Sequence, residues 1–227
     1  MSAAPFSSVL YEKWYNGGNI NRQMLMILRD IITIAKYSEL NTLQIKDKEE
    51  VILTFVNLGL LELYGLFPLK TEEQVLDLVS GVYIYDLPDD FMYMTGAYDT
   101  DSNNRVRILP INEENNPLSV NTINFSQVQI PSVVTGAEIG IIYVPKPLRM
   151  TVDDMDTEVP IPSALVQPLL NFVGFKAHAG MRADAEGEAN AYELRYNRSI
   201  ENVRNRGLGI ASDDMSMINR IDQRGFV

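Results

Sequence analysis

A run of carboxylates is the densest group of potential catalytic or metal-binding side chains in the sequence. Such oxygen ligands hold hard cations, and paired carboxylic acids serve in general acid–base catalysis. All of them lie in one short segment before two prolines, and charge runs of this kind are usually solvated faces. We therefore interpret the run as an exposed linker or the negative rim of a pore. Its members are Asp153, Asp154, Asp156 and Glu158.

A second candidate metal site follows the spacing of a calcium-binding loop only in part. Asp99, Asp101 and Asn103 match the first three ligand positions. The sixth position, a glycine in such loops, is Asn104, and the twelfth, a bidentate glutamate, is Pro110. Because the bidentate ligand is missing, the segment predicts a solvated hairpin loop and no metal site.

The sequence contains a single histidine, His178, and no cysteine. Disulfides, thiolate metal sites and Cys nucleophiles are therefore excluded, and a Ser-His-Asp triad would have to use His178. No Gly-x-Ser-x-Gly elbow supplies the serine, and no glycine-rich phosphate-binding signature occurs. We expect a structural or surface His178, no catalytic, cofactor-binding or metal-binding residues, and a protein that is not an enzyme.

Two groups of aromatic residues suggest binding. The first group could stack on a sugar or a base, but we favour packing of an N-terminal arm against the core or a neighbour. The second lies on a helical stripe that could dock a partner. Such stripes usually face the core, so we predict burial against the preceding helix. The first group is Tyr11, Trp14 and Tyr15, and the second is Tyr192, Tyr196 and Ile200.

Length, composition and charge exclude several classes of protein. A chain of 227 residues, 46% hydrophobic and 22% charged, can bury one substantial core. Its net charge of −11 disfavours a sequence-reading DNA-binding protein, which neutralises phosphates with Lys and Arg. An acidic pore would instead let DNA slide past. Residues 1–15 lack a basic region followed by an apolar run, so we expect no signal peptide. No apolar run approaches the roughly 20 residues of a membrane span.

Four segments have the apolar spacing of amphipathic helices. In the second, Asp47 and Glu50 form an acidic variant of the capping box, which predicts a helix from Asp47 to about Gly65. This helix is apolar around much of its circumference, which indicates contact on more than one side. In the third, Pro168 predicts a kink or a broken first turn. The predicted helices span residues 21–40, 47–65, 163–181 and 184–206.

Short runs of β-branched and aromatic residues, separated by turn residues, lie between the second and third helices. They predict an antiparallel β region over residues 67–148, with a long loop at 110–121. The last stretch, 207–227, is polar and weakly patterned, and its extended length exceeds the radius of the globule. The predicted fold class is α+β. The predicted strands span residues 73–80, 82–86, 91–98, 105–109, 122–130 and 137–144.

Three passages resemble a known family of virion proteins. Residues 50–67 (EVILTFVNLGLLELYGLF) are a helix ending in an aromatic residue before the β region, and residues 83–91 (YIYDLPDDF) run from a strand into a turn. Residues 160–206 lead from Ile-Pro into two helices that end in YELRYNRSIENVRNR. The chain resembles the head-to-tail adaptor (connector or neck ring) proteins of short-tailed bacteriophages, especially those of crAss-like phages.

The resemblance implies a helical bundle with an inserted antiparallel β domain and an extended C-terminal tail. The corresponding domains are an N-terminal arm with the first bundle helices (1–66), the β domain (67–148), the last bundle helices (149–206) and a docking tail (207–227). It also implies a ring of about twelve copies under the portal. Ring contacts need two different surfaces on each subunit, and the broad apolar surface of the second helix is compatible with that.

The implied function is structural: the ring joins capsid to tail in the virion neck and conducts DNA during ejection. The expected partners are the portal protein, tail or neck proteins, other copies of the chain, and genomic DNA that passes without specific binding. No membrane and no cofactor is expected, and synthesis is expected in the host cytoplasm. The best candidate anchors for portal docking are Arg220, Arg224 and Phe226, since arginine and aromatic residues dominate interface hot spots.

Three alternative functions remain open from the sequence. The chain could be a ring component further from the portal, in the neck or tail. It could instead be a carboxylate- or metal-dependent hydrolase that uses the acidic residues at 153–158. It could also be a carbohydrate-binding module built on the β region.

Overall fold

Blocks of helix and strand alternate along the chain. The structure, a computed structural model, describes residues 26–43, 45, 48–100, 106–134, 138–181 and 186–207. In these residues two helices precede a block of strands, and two helices follow it. The predicted α+β class is confirmed. The helices are α1 (Leu28–Tyr37), α2 (Glu49–Leu66), α3 (Val166–Met181) and α4 (Glu186–Asn205).

Helix α1 buries one face completely, as its apolar spacing predicts. The buried residues are Leu28, Ile31, Ile32 and Ala35. The helix ends at Tyr37, three residues before the predicted end, and the Ser38 hydroxyl donates a hydrogen bond to the Ile34 carbonyl. Residues 21–25 of the predicted helix lie outside the described residues.

The start of α2 differs from the predicted one. Its N-cap residue is Lys48, and no side chain of the described residues caps the helix, so the capping box that places the N-cap at Asp47 is wrong. Asp47 itself lies outside the described residues. Glu49 and Glu50 occupy the first turn, where carboxylates interact favourably with the helix dipole. The acidic residues at this helix start therefore act through charge and not through a side-chain cap.

Helix α3 begins with a change of helix type. A 3-10 turn, Ser163–Leu165, precedes the α-helix. Pro168 then lies in the first α-helical turn, where backbone N–H groups have no intrahelical partner and the missing N–H of proline costs little. The α-helix therefore begins three residues after the predicted start, and Pro168 falls in its first turn.

Two glycines let the helices approach one another closely. A Cβ atom added to Gly59 of α2 would lie 2.5 Å from Leu169 of α3. A Cβ atom added to Gly174 of α3 would lie 2.7 Å from the ring of Tyr192 of α4. Helices α2 and α4 therefore both pack on α3, which lies at the centre of the helical part.

The strands form two antiparallel sheets. In the described part of the chain the larger sheet has the order β1-β7-β3-β4, and the smaller has the order β2-β6-β5. Residues 110–120 contribute only an isolated bridge between Ile111 and Val120, and Asn121 begins β5, so the predicted loop is one residue shorter than expected. The strands are β1 (Glu72–Asp77), β2 (Ile84–Asp86), β3 (Phe91–Thr100), β4 (Val106–Leu109), β5 (Asn121–Asn124), β6 (Gln127–Gln129) and β7 (Glu138–Pro145).

The single strand predicted over residues 122–130 is wrong, because the chain folds back there into the β5–β6 hairpin. Asn124 Oδ1 accepts hydrogen bonds from the backbone N–H and the hydroxyl of Ser126, each 2.9 Å long. Such local bonding by an asparagine side chain favours a turn over a continuing strand. Phe125 lies at the tip of the hairpin and is 81% exposed.

Buried apolar side chains form two clusters, the helical core and the β core between the sheets. The two are joined at one end of the larger sheet, where Val144 of β7 belongs to the helical core. There the Tyr93 hydroxyl donates a hydrogen bond to the Tyr64 carbonyl over 3.4 Å. The helical core includes Ile31, Val56, Leu63, Phe67, Leu169, Val173 and Ile200. The β core includes Leu76, Met94, Leu109, Val128, Ile139 and Ile141.

Candidate interaction surfaces

Two residues of the carboxylate run, Asp154 and Asp156, make contacts within the structure. Asp154 accepts hydrogen bonds from the backbone N–H and the hydroxyl of Thr151, each 2.7 Å long, and these bonds lower the pKa of the Asp154 carboxyl. Asp156 forms an ion pair with Arg29 of α1 at 3.0 Å. No group of three or more acidic or histidine side chains that could hold a metal ion occurs among the described residues. The contacts agree with the interpretation of an exposed linker.

Asp99, the first residue of the candidate calcium loop, pairs with an arginine. It is 4% exposed, and Arg107 of the neighbouring strand β4 donates to both of its carboxylate oxygens. This two-point contact satisfies the carboxylate within the sheet. Asp101 and Asn103 lie outside the described residues, so the remainder of the predicted hairpin loop is not described.

His178 has a structural position between three elements. It is 2% exposed; its Nε2 lies 3.1 Å from the Glu39 carbonyl oxygen and its Nδ1 lies 3.0 Å from Glu188 Oε2. Its ring stacks on Tyr192, whose hydroxyl also donates to the Glu39 carbonyl. Burial, together with the nearby Glu39, raises the pKa of Tyr192 to about 12. The group ties the residues after α1 to α3 and α4, and this packing role accounts for the only histidine.

The tyrosine stripe of α4 faces α3, so its predicted burial is confirmed. Tyr196 is 7% exposed and meets the ring of Phe172 edge to face at 5.4 Å. Ile200 and Val203 are also buried. Burial raises the pKa of the Tyr196 hydroxyl above its usual range. The stripe therefore belongs to the helical core and is not available to a partner.

A groove between α2 and α3 is the first of three surfaces that expose apolar side chains. Leu58 and Leu61 of α2 point into it and are 46% and 42% exposed. Lys176 lies at its edge, 4.8 Å from the centre of the Phe175 ring. We call this surface the α2–α3 groove; its volume is about 570 Å³. It is lined by Leu58, Leu61, Glu62, Gly65, Leu66, Met92, Phe172 and Lys176.

The second surface is the face of the larger sheet that points away from the β core. The strand register aligns Val75, Gly140, Tyr98 and Ile108 in one row across all four strands. Val75 and Ile108 are each 48% exposed, and Val106, two residues before Ile108 on the same face, is 63% exposed. We call Val75, Tyr98, Val106 and Ile108 the outer sheet face.

Tyr98 lies flat across the middle of the outer sheet face. Its ring occupies the space above Gly140, where a Cβ atom would lie 2.2 Å from the ring. The Tyr98 hydroxyl donates to the Glu73 carboxylate, and burial together with that carboxylate raises the pKa of Tyr98 above its usual range. The outer sheet face is therefore apolar at its centre and acidic at the β1 edge.

The third surface lies where the chain passes from β1 to β2. We call it the β1–β2 pocket; it has a volume of about 340 Å³ and is formed mainly by residues 78–83 and 130–134. Val79, Val82 and Tyr83 at this site are 59%, 44% and 48% exposed. Ile130 and Val134 belong to the β core, from which the outer sheet face points away. The two surfaces are therefore formed by different residues.

The sequence interpretation found only one of these three surfaces, the second side of α2. The outer sheet face could have been inferred from Val75, Val106 and Ile108. A sheet with one solvated face is apolar on the other face only, whereas apolar residues on both sides of short strands indicate two apolar faces. The predicted docking residues Arg220, Arg224 and Phe226 lie outside the described residues. So do the aromatic residues Tyr11, Trp14 and Tyr15.

The chain was compared with known protein families and with curated proteins. A family model described as SU10 adaptor protein matches residues 26–220, which include all of the described helices and strands. A comparison with curated proteins gave no match. Among the described residues, none of the helices combines the length and the apolar character required to cross a membrane.

Proposed function

The chain belongs to the SU10 adaptor protein family, whose model covers well over half of it, and from this premise we propose that it forms a ring beneath the portal of a tailed bacteriophage. The family makes the chain a structural phage adaptor of the virion that contacts other head or tail proteins. The proposal adds about twelve copies around a closed ring, attachment to the portal above, and attachment to tail proteins below. The ring conducts DNA and carries out no catalysis.

The family match over residues 26–220 is the observation that carries the proposal. The structure supports it through the position of the β region, which lies in the chain between α2 and α3 while the helices on both sides share one core. In this proposal, residues 67–148 form an inserted domain between the bundle segments 1–66 and 149–206. Residues 207–227 form the portal-docking tail.

Net charge supports the proposed passage of DNA. A channel lined by a protein with a formal charge of −11 repels phosphates and does not hold the DNA that moves through it. The exposed acidic residues at 153–158 suit a position on such a lining, since only Asp156 among them is paired with a cation in the described residues. This assignment extends the interpretation of the run as the negative rim of a pore.

A ring requires two unlike surfaces that fit each other, because each copy contacts its two neighbours through different faces. The outer sheet face and the β1–β2 pocket meet this requirement. One is a broad apolar surface, the other is a concave one, and they have no residue in common. We propose that the outer sheet face of one copy contacts the β1–β2 pocket of the next.

Replacement of Ile108 by glutamate is expected to reduce the number of copies bound per portal. The substitution puts a charge on β4, within the proposed contact and across the sheet from its acidic β1 edge, and desolvation of an unpaired charge opposes association. The measurement is the mass of the portal complex by mass photometry, with circular dichroism to verify folding.

Ile123→Glu is the matched control, since Ile123 is also 48% exposed but lies on β5 of the smaller sheet. The control is expected to bind in the wild-type ratio. Equal ratios for wild type, I108E and I123E would contradict the assignment of the outer sheet face to the ring contact.

A further inference from the structure

Helix α2 has more apolar surface than the described residues cover. Its inner side lies in the helical core and includes Ile52, Val56 and Leu63, which are fully buried. Its other side carries Leu58 and Leu61, two leucines with more than two fifths of their surface exposed. They lie at spacing i, i+3 on one helix face and form one wall of the α2–α3 groove. A contiguous apolar groove of this kind marks a docking site for another segment.

The N-terminal residues have the composition that such a groove accepts. Phe6, Val9, Leu10 and Trp14 follow one another at spacing i, i+3, i+4 and i+8, the pattern of a segment that lays one apolar face into a groove. The segment and the groove each carry one acidic and one basic side chain, which allows pairs of opposite charge. The segment carries Glu12 and Lys13, and the groove carries Lys176 and Glu62.

The described chain begins near the C-terminal end of α2. The Met26 carbonyl accepts a hydrogen bond from the Val159 N–H, and the neighbouring Pro160 carbonyl accepts one from the hydroxyl of Tyr64. Tyr64 precedes Gly65 and Leu66, which line the end of the groove. A helix with its side chains is about 10–12 Å across. The residues between Trp14 and Met26 can span roughly 40 Å, so Trp14 can reach the groove from this point.

We propose that residues 6–15 of the chain pack into its own α2–α3 groove, with Trp14 against Leu58 and Leu61. The segment covers the exposed side of α2 and completes the helical core. This assignment is independent of the proposed ring and of the portal.

The only tryptophan of the chain, Trp14, reports directly on this contact. Its fluorescence emission in the folded, dilute protein is expected at shorter wavelength than in the urea-unfolded chain, because the indole lies in an apolar environment. In L61E, the emission is expected to shift to the wavelength of the unfolded chain. Leu61 is 42% exposed in the described structure, so a glutamate there reaches water once the segment leaves. Circular dichroism verifies that this variant is folded.

L194E is the matched control, since Leu194 is a 57% exposed leucine of α4 outside the groove. Its emission is expected to equal that of the wild type. Emission of folded wild type at the unfolded wavelength, or an unchanged emission in L61E, would overturn the proposal. A wild-type emission that moves to shorter wavelength only as protein concentration rises would also overturn it, and would give the groove to the segment of a neighbouring copy.

Discussion

Replacement of Phe67 by alanine is expected to lower the free energy of unfolding by about 3–5 kcal/mol. Phe67 is the first residue after α2 and is 1% exposed, among the largest fully buried side chains. Its ring lies in the helical core, and the guanidinium of Arg204 of α4 lies 5.9 Å from its centre. Removal of the ring leaves a cavity where α2, α4 and the start of the β region meet. Urea unfolding followed by circular dichroism measures the change.

Phe125→Ala is the matched control for this experiment. Phe125 is 81% exposed at the tip of the β5–β6 hairpin, so its replacement is expected to change stability by less than about 0.5 kcal/mol. Equal losses of stability for F67A and F125A would contradict the helical core described for this end of α2.

Deletion of residues 207–227 is expected to abolish stable binding to the portal while the rest of the chain stays folded. The described helix α4 ends at Asn205, and Gly207 contributes a backbone hydrogen bond to Arg204 at the helix end. Loss of this bond changes the fold little. Because interface hot spots contribute about 2 kcal/mol or more each, loss of two or three anchors lowers affinity by roughly 700-fold or more. Titration of the portal with the truncated chain measures this affinity.

A full-length triple variant with alanine at 220, 224 and 226 tests whether the anchor side chains, and not the length of the tail, provide the binding. It removes Arg220, Arg224 and Phe226, and its affinity for the portal is expected to fall almost as far as that of the truncated chain. Arg206→Ala, at an exposed residue just before the tail, is the control. Undiminished portal binding by the truncated chain would contradict the docking role of the tail.

Local sequence patterns predicted most of the secondary structure because they reflect local physics. The 3.6-residue spacing of apolar residues in the helices and the β-branched residues of the strands determine which backbone conformation buries the apolar side chains. The pattern failed where one polar side chain decides the outcome. Asn124 turns the chain back through its bonds to Ser126. At α2 the N-cap is Lys48, although Asp47 and Glu50 have the spacing of a capping box.

The candidate surfaces were harder to predict, because they depend on which strands become neighbours. Val75, Tyr98 and Ile108 lie far apart in the sequence and are aligned only by the pairing of β1 with β7 and of β3 with β4 and β7. No local pattern specifies that register. The second apolar side of α2 was predictable, since it follows from the composition of one helix. The role of His178 was not, because its contact with Glu39 joins residues more than a hundred positions apart.

In the proposed function the chain forms a portal-attached ring. Mass photometry of the purified chain, alone and mixed with the portal protein from the same genome, tests it most directly. The account predicts a particle with the mass of the portal plus about twelve copies of the chain, as expected for a closed ring that matches its partner. A chain that stays a small particle and does not change the mass of the portal would contradict it, and a more distal neck or tail ring would then be the function to test.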